Sequence, residues 1–478
     1  MRFLTLMLVF AVGLAGPAAA KTWTAASKAG LVTALSSAVG GDTIEVSPGN
    51  YGVIALVMGN GNRVAVGGVV KRNILTALTA PVTVKSANPA DPAVVNGIET
   101  QNAPFWRWEG LRVKQNGGNK SITIRLQSPD NALVNNIMGL GDCTSWDAAT
   151  WAASASRMVW SSGPRTLVEG NQMNCVSEGI ILSHGADDSI ARNNTIRNIS
   201  GDGIDVSALR VSLLGNYLAN FWKIGGNHDD CVQIWTGPGV NQLGVNSGAH
   251  IAGNRCFIHE DIASYEANPT AWSVLPLSDG LQGFSAFDGS VQNARIEDNW
   301  YIGSSYNGIS IAGATNVVFK GNRILALPAA GKNTNIRMGF ARVKANPNWS
   351  PSGNTMADNI SNIVDDTKPG AVYTNNRSIA PQASVYDAAF TDWRKGDLSL
   401  KGSSPPPVVT PPTEPPIVAP PDKPTEPPVV EEPKKEEPKG EDPKEEEEEP
   451  PARDKAALVQ AIKDLVDQLA DEGPPSAQ

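Results

Sequence analysis

Charge, histidine, cysteine and long apolar runs are all scarce in this 478-residue sequence, and each scarcity narrows what the chain can be. Charged residues make up 18% of it. The formal charge of -9 belongs to one segment, because Gly402 to Pro450 holds 14 acidic and 5 basic residues and leaves the remainder neutral. A neutral body carries no electrostatic footprint for nucleic acid, and it would need a local basic cluster to hold a polyanion. Helical periodicity is almost missing between Val82 and Arg377, which argues against a helical fold. The apolar run Phe3 to Leu14 is too short for an ordinary membrane span, and no second long run follows. With Arg2 before it and Ala18 and Ala20 after it, that run reads as an export signal over 1–20, so the mature chain is expected to begin near Lys21. The protein is expected to be secreted, extracellular or periplasmic, with no membrane span in the mature chain. Four cysteines in an exported protein suit two disulfides; Cys231 and Cys256 lie 25 residues apart, close to one turn of the repeat described next, which leaves Cys143 with Cys175. Four buried thiols are the other reading.

What is abundant is asparagine in register. Asn followed by an apolar position recurs at Asn136, Asn171, Asn194, Asn216, Asn254, Asn299, Asn322 and Asn359, with shortest spacings of 23, 22 and 23 residues. That period suits one coil of a parallel β-helix, in which short β-runs alternate with turns. Val, Ile and Leu supply the inward positions, and asparagines on successive coils can bond to one another along the axis. The reading is an all-β, right-handed parallel β-helix over 21–400. Ala25 to Val39 forms an amphipathic capping helix over its open end, and the segment Gly41 to Tyr51 forms the first coil. Residues 401–452 read as a disordered Pro/Glu/Lys-rich linker. Residues 453–478 hold a short amphipathic helix whose Leu458, Ile462, Leu465 and Leu469 could support self-association.

Between the asparagines lies a second signature: Glu178-Gly-Ile-Ile-Leu, Asp202-Gly-Ile-Asp-Val, Asp230-Cys-Val-Gln-Ile, Asp279-Gly-Leu-Gln-Gly and Asn307-Gly-Ile-Ser-Ile. As one strand on five successive coils, these predict two columns. The first is Glu178, Asp202, Asp230, Asp279, Asn307; the second is Ile181, Asp205, Gln233, Gln282, Ser310. Departures from the period put extra loop near 220–228, 236–248 and 259–278, all beside these coils, where loops on a rigid scaffold would wall a groove. Glycosidic bond cleavage needs one carboxyl as acid and another as base or nucleophile, and stacked acids repel, which raises one of their pKa values. The candidate catalytic residues are therefore Asp202, Asp229, Asp230, Asp279 and His228. The candidate substrate contacts are Asp205, Gln233, Gln282, Trp235 and Lys223. An Asp before Gly can also simply cap a turn. Trp222, Tyr265 and Trp272 either line the groove or pack beneath its loops. Asp229 either orients His228 or, with its neighbours, binds Ca²⁺, although no dense calcium-loop pattern accompanies it; no cofactor is called for.

The segment GDTIEVSPGNY and the coil pattern resemble the pectate-lyase-like β-helix superfamily, including chondroitinase B-like and alginate lyases, over roughly residues 25–380. The pieces DGID at 202–205 and DDC at 229–231 are similar to aspartate motifs of polygalacturonase-type hydrolases, which implies acid and base roles for Asp202, Asp229 and Asp230. His228-Asp229 matches half of a mannuronan epimerase motif. In a lyase, Lys223, Arg337, Arg342 and Lys344 would be the cations that neutralise a uronate carboxylate. These resemblances imply a carbohydrate-active enzyme that cleaves a polysaccharide as a lyase or a glycoside hydrolase. The alternatives are a uronate epimerase and a non-catalytic glycan-binding spike or adhesin on a cell surface or virion.

Overall fold

A computed structural model describes residues 19–402, apart from 60, 73–76, 116, 119–120, 140, 226–228, 236–244, 287–289, 329–336, 342–351 and 366–369. The export signal, the acidic linker and the C-terminal helix expected from the sequence lie outside the described residues. So do His228, Arg342 and Lys344. The described chain is a parallel β-helix with three long sheets of 13, 11 and 13 strands. One coil is typified by Ile190–Arg192 in the first sheet, Thr195–Ile199 in the second and Ile204–Val206 in the third, after which Ser212–Leu214 returns to the first. Strand Thr22–Ala25 and helix Lys28–Ser37 close the N-terminal end, the helix capped by Ser27 and burying Leu31, Val32, Ala34 and Leu35.

The corner between the first and second sheets explains the asparagines. Asn194 donates from Nδ2 to Asn216 Oδ1 at 2.9 Å, and its backbone N–H reaches the same oxygen at 3.1 Å. Its own Oδ1 accepts the equivalent pair from Asn171. The chain of bonds runs unbroken from Asn136 through Asn359 and ends on Asn376, a ninth member. Each ladder asparagine follows a residue with positive φ, such as Asn193 (55°), Gly215 (62°) or Asp298 (52°). Gly, Asn and Asp tolerate that conformation at least cost, so the dipeptides NN, GN and DN are the corner's signature. The ladder asparagines from Asn136 to Asn359 are almost wholly buried.

Inside, like positions stack. Ile180, Ile204, Val232, Phe284 and Ile309 form one apolar column, and Val168, Ala191, Leu213, Ile251, Ile296 and Phe319 another, all nearly inaccessible to solvent. Full burial of each large side chain contributes roughly 1.5–3 kcal/mol. Both expected disulfides form, Cys143–Cys175 and Cys231–Cys256, the latter joining the third sheet to the second across the interior. Two disulfides fit an oxidising compartment. Among the described residues no helix is long and apolar enough to cross a membrane. Residues 383–400 fold back over the C-terminal coils: Tyr386 donates to Ala326 O, and Arg323 reaches Leu398 O.

Replacing Asn216 by Ala strands two buried donors of Asn194. Each unsatisfied buried group costs about 1–3 kcal/mol, so Asn216→Ala should lower unfolding free energy by roughly 2–5 kcal/mol in a urea titration. A loss under about 0.5 kcal/mol, the usual size for a surface change, would refute the ladder's structural weight.

Candidate functional site

The third sheet brings the carboxyl groups together. Its strand pairing sets Arg157 beside Glu178. Ile180 beside Ile204 then aligns Glu178 with Asp202, and Ile204 beside Val232 aligns Asp202 with Asp230. Asp230 in turn lies opposite Gln282. The first column therefore reads Arg157, Glu178, Asp202, Asp230, Gln282, Asn307. The second reads Trp160, Ile181, Asp205, Gln233, Ser285, Ser310. Both columns lie on the outer side because two consecutive positions between them turn to the core. A Cβ at Gly179 or Gly203 would strike the buried Ile196 or Leu218, and Ile180, Ile204 and Val232 fill the apolar column.

Two expected positions change. Gln282 belongs to the first column and not the second, with Asn307 Nδ2 donating to its Oε1 at 2.9 Å. Asp279 is in neither: it precedes the strand and forms a half-exposed ion pair with Lys223 at 2.6 Å. The segment holds two X-Gly pairs, Asp279-Gly and Gln282-Gly. Packing selects the second, since that register buries Phe284 in the apolar column and sets Gly283 where a Cβ would fall 1.9 Å from Gly308 O. Gly203 has the same constraint: a Cβ there would meet Leu218 Cδ2 at 2.1 Å. On the Asp230 coil the equivalent position is Cys231, whose side chain is spent in the disulfide.

At the centre, four acids crowd one face. Arg157 Nε donates to Glu178 Oε1 at 2.9 Å, and Glu178 and Asp205 share a carboxyl–carboxyl hydrogen bond. The Trp235 indole N–H donates to Asp205. Asp230 offers its backbone N–H to Asp202 Oδ1 at 2.8 Å, and its own Oδ1 accepts from Ser285 Oγ at 2.7 Å. Asp230 is fully buried, Asp205 is 8% exposed, and Glu178 and Asp202 are partly open to solvent. Burial, then the neighbouring charges of Asp205 and Asp230, hold the Asp202 carboxyl well above the usual carboxylate range. Burial, then Glu178 and Asp230, do the same for Asp205. Glu178 is raised by burial while the Arg157 guanidinium opposes the shift. Such a cluster keeps protonated carboxylic acid at pH values where an ordinary aspartate has lost its proton.

The remaining candidates are placed as follows. Asp229 is buried, its carbonyl accepting from the Gln282 N–H at 2.7 Å. Gln233 stands beside Asp205 in the second column. Trp222 is not on the groove: it is buried, with its indole N–H on Asn198 Oδ1 at 3.1 Å. Tyr265 and Trp272 pack around the buried His259 ring. The loop from 258 to 281, including helix Ile262–Ala267, reaches back along the sheet edge until the Val274 N–H meets Thr144 O at 3.1 Å. Arg337 pairs with Asp365. Among the described residues, no group of three or more His, Cys, Asp or Glu has the arrangement of a metal site. The residues that sequence reasoning missed are Arg157 and Ser285, together with Glu178, which it aligned in the first column without naming among the candidate catalytic residues. The run Arg157-Met-Val-Trp-Ser aligns with Glu178-Gly-Ile-Ile-Leu, and carrying the register one coil back would have found Arg157.

Fold and site together define a parallel β-helix with a buried carboxyl cluster on its third sheet. No model of a known protein family matches the sequence, and comparison with curated proteins finds no match. Solved structures resemble it in fold. They include an alginate lyase of family PL6, AlyGC (10% identity, TM-score 0.37, 74% of this chain and 40% of that one). Another is the catalytic unit of a GH87 α-1,3-glucanase from Streptomyces thermodiastaticus (12%, 0.41, 76% and 69%). A third is the Streptococcus pneumoniae surface protein and adhesin PfbA (12%, 0.38, 72% and 91%). The chain thus spans well under half of the alginate lyase, and at these identities the likeness is one of fold.

The raised acids make a pH prediction. Asp202 and Asp205 have folded-state pKa values above the unfolded value of 3.8. Their contribution is then fully present below that value and is lost as pH rises through the folded pKa. Asp205→Asn should therefore raise Tm in alkaline buffer, and the gain should shrink toward pH 4. A gain that grows on acidification would refute the assignment.

Proposed function

We propose that this chain hydrolyses glycosidic bonds in a polysaccharide bound along the outer face of the third sheet. The observation that carries the reading is the Glu178, Asp202, Asp205, Asp230 cluster, in which acids with unequal surroundings share one patch. Asp202 is partly exposed and holds its proton, so it serves as general acid to the leaving oxygen. Glu178 is also partly exposed and is paired with Arg157, which favours its ionised form; it serves as base or nucleophile. Asp205 and Asp230 are enclosed and act through the other two. Asp205 bonds to Glu178, and Asp230 orients Asp202 through its N–H while Ser285 holds its carboxylate.

Proton abstraction from a uronate would need a cation ready to neutralise the sugar carboxylate. Among the described cations near the site, Lys223, Arg337 and Arg157 are each engaged with a carboxylate of the protein. An anionic sugar would also meet the carboxylates of Glu178 and Asp230 at the reaction centre. Hydrolysis is thus the chemistry this site supports better than elimination.

Incubation with a panel of neutral and uronate polysaccharides should release new reducing ends without the near-ultraviolet absorbance of an unsaturated uronate. Asp202→Asn should lower kcat by roughly 10²–10⁴-fold, the usual size of a general-acid effect, with the fold retained by circular dichroism. Appearance of the unsaturated chromophore would establish elimination instead. Glycan binding with no bond cleavage would establish an adhesin.

A further inference from the structure

The outward column that holds Asp205 continues toward the N-terminus in a way the acid cluster does not use. Ile181 lies beside Asp205, Trp160 beside Ile181, Arg125 beside Trp160 and Glu99 beside Arg125. Trp160 is partly exposed, and the Arg125 guanidinium carbon sits 5.3 Å from the centre of its ring. One coil further on, Val53, Gly97, Glu99, Ile122 and Arg125 line a cavity of about 290 Å³. A flat aromatic face, a guanidinium and a carboxylate on one line supply a stacking surface, donors and an acceptor, the set that fixes a polyhydroxylated ring.

Geometry and charge say what would lie there. Coils repeat about every 4.8 Å, close to the advance of one pyranose unit in an extended glycan, so a chain running along the axis would meet one coil per sugar. The loop from 258 to 281 covers the edge between the second and third sheets by reaching Thr144, while Trp160, Arg125 and Glu99 are partly exposed on the N-terminal side of Asp205. Along this line the carboxylates of Glu99, Glu178 and Asp230 outnumber the guanidiniums of Arg125 and Arg157, while burial keeps Asp202 and Asp205 protonated. A polyuronate would place its charges against that excess of acid.

We propose that Trp160, Arg125 and Glu99 form a distal saccharide-binding stretch, two to four coils from Asp205, and that the ligand is a long neutral glycan lying along the helix axis. The proposal rests on the reading of the acid cluster as the cleavage centre, which sets one end of the bound chain. Trp160 stacks a sugar face, and Arg125 and Glu99 hold the hydroxyls of the units beyond it.

The test uses the full chain carrying Asp202→Asn to suppress turnover, titrated calorimetrically with oligosaccharide series from neutral β-glucan, α-glucan, mannan and xylan, and with oligouronates. For a neutral series that binds, affinity should rise with length until the oligosaccharide spans from Asp205 to Glu99, then level off. Adding Trp160→Ala should weaken binding of the long members at least tenfold and leave the short members unchanged. Trp160→Phe should restore most of the loss, and Arg125→Ala gives an independent reading should Trp160→Ala fail to fold. Undiminished binding of long oligosaccharides by folded Trp160→Ala and Arg125→Ala proteins would overturn the proposal. So would tighter binding of oligouronates, or no binding of any series. If the length dependence and the Trp160 effect appear but the wild-type chain cleaves none of these glycans, the distal stretch stands and the hydrolytic reading falls.

Discussion

Everything on the third sheet depends on coils being held in register by the asparagine corner. Each ladder side chain takes hydrogen bonds from the backbone and the amide of the asparagine on one neighbouring coil and gives its own to the next. Because strand side chains alternate between faces, a one-residue slip of a coil would turn its outward acid into the apolar interior. Asp205 and Ile204 would exchange places. The corner therefore fixes the depth of each coil and also which side chains can meet on the outside. The positive-φ residue ahead of each asparagine makes the bend that brings the next strand to the right face.

On that frame the acid cluster is a local cost. Four carboxyl groups in mutual reach, two of them enclosed, work against folding wherever they must ionise. The structure offsets part of that cost with directed partners: Arg157 on Glu178, Ser285 and a backbone N–H around the Asp230–Asp202 pair, and the Trp235 indole on Asp205. The solenoid does not require an acid at the Asp205 position, since Ile181 and Ser310 occupy the same column on other coils. A cluster kept at an energetic loss within an otherwise regular repeat is where chemistry is expected.

Much of this was legible in the residues, and the failures have physical causes. The asparagine column, the coil period and both disulfides followed from spacing, because a solenoid converts sequence distance into axial distance almost linearly. Glu178, Asp202 and Asp230 aligned for the same reason, as did Asp205 with Gln233. The Asp279 coil was read one X-Gly pair too early, since local pattern cannot separate Asp279-Gly from Gln282-Gly. Only the fit of Phe284 to the core does so. Trp222 was read as either a groove or a packing residue, and the distinction lay in the loop that covers it. Arg157 went unread because its strand lacks the X-Gly signature and carries Met158 where its neighbours carry Gly179 and Gly203.

By itself, then, the sequence determined the repeat, the inward apolar columns, the corner asparagines and the disulfide partners. All of these depend on periodicity and residue type, which a linear chain carries explicitly. Tertiary structure alone decided the register of the coil bearing Gln282, the enclosure of Asp230 against the openness of Asp202, and the pairing of Arg157 with Glu178. Those outcomes turn on which side chain fills a given volume and which carboxyl loses water, and both are properties of packed neighbours from different coils.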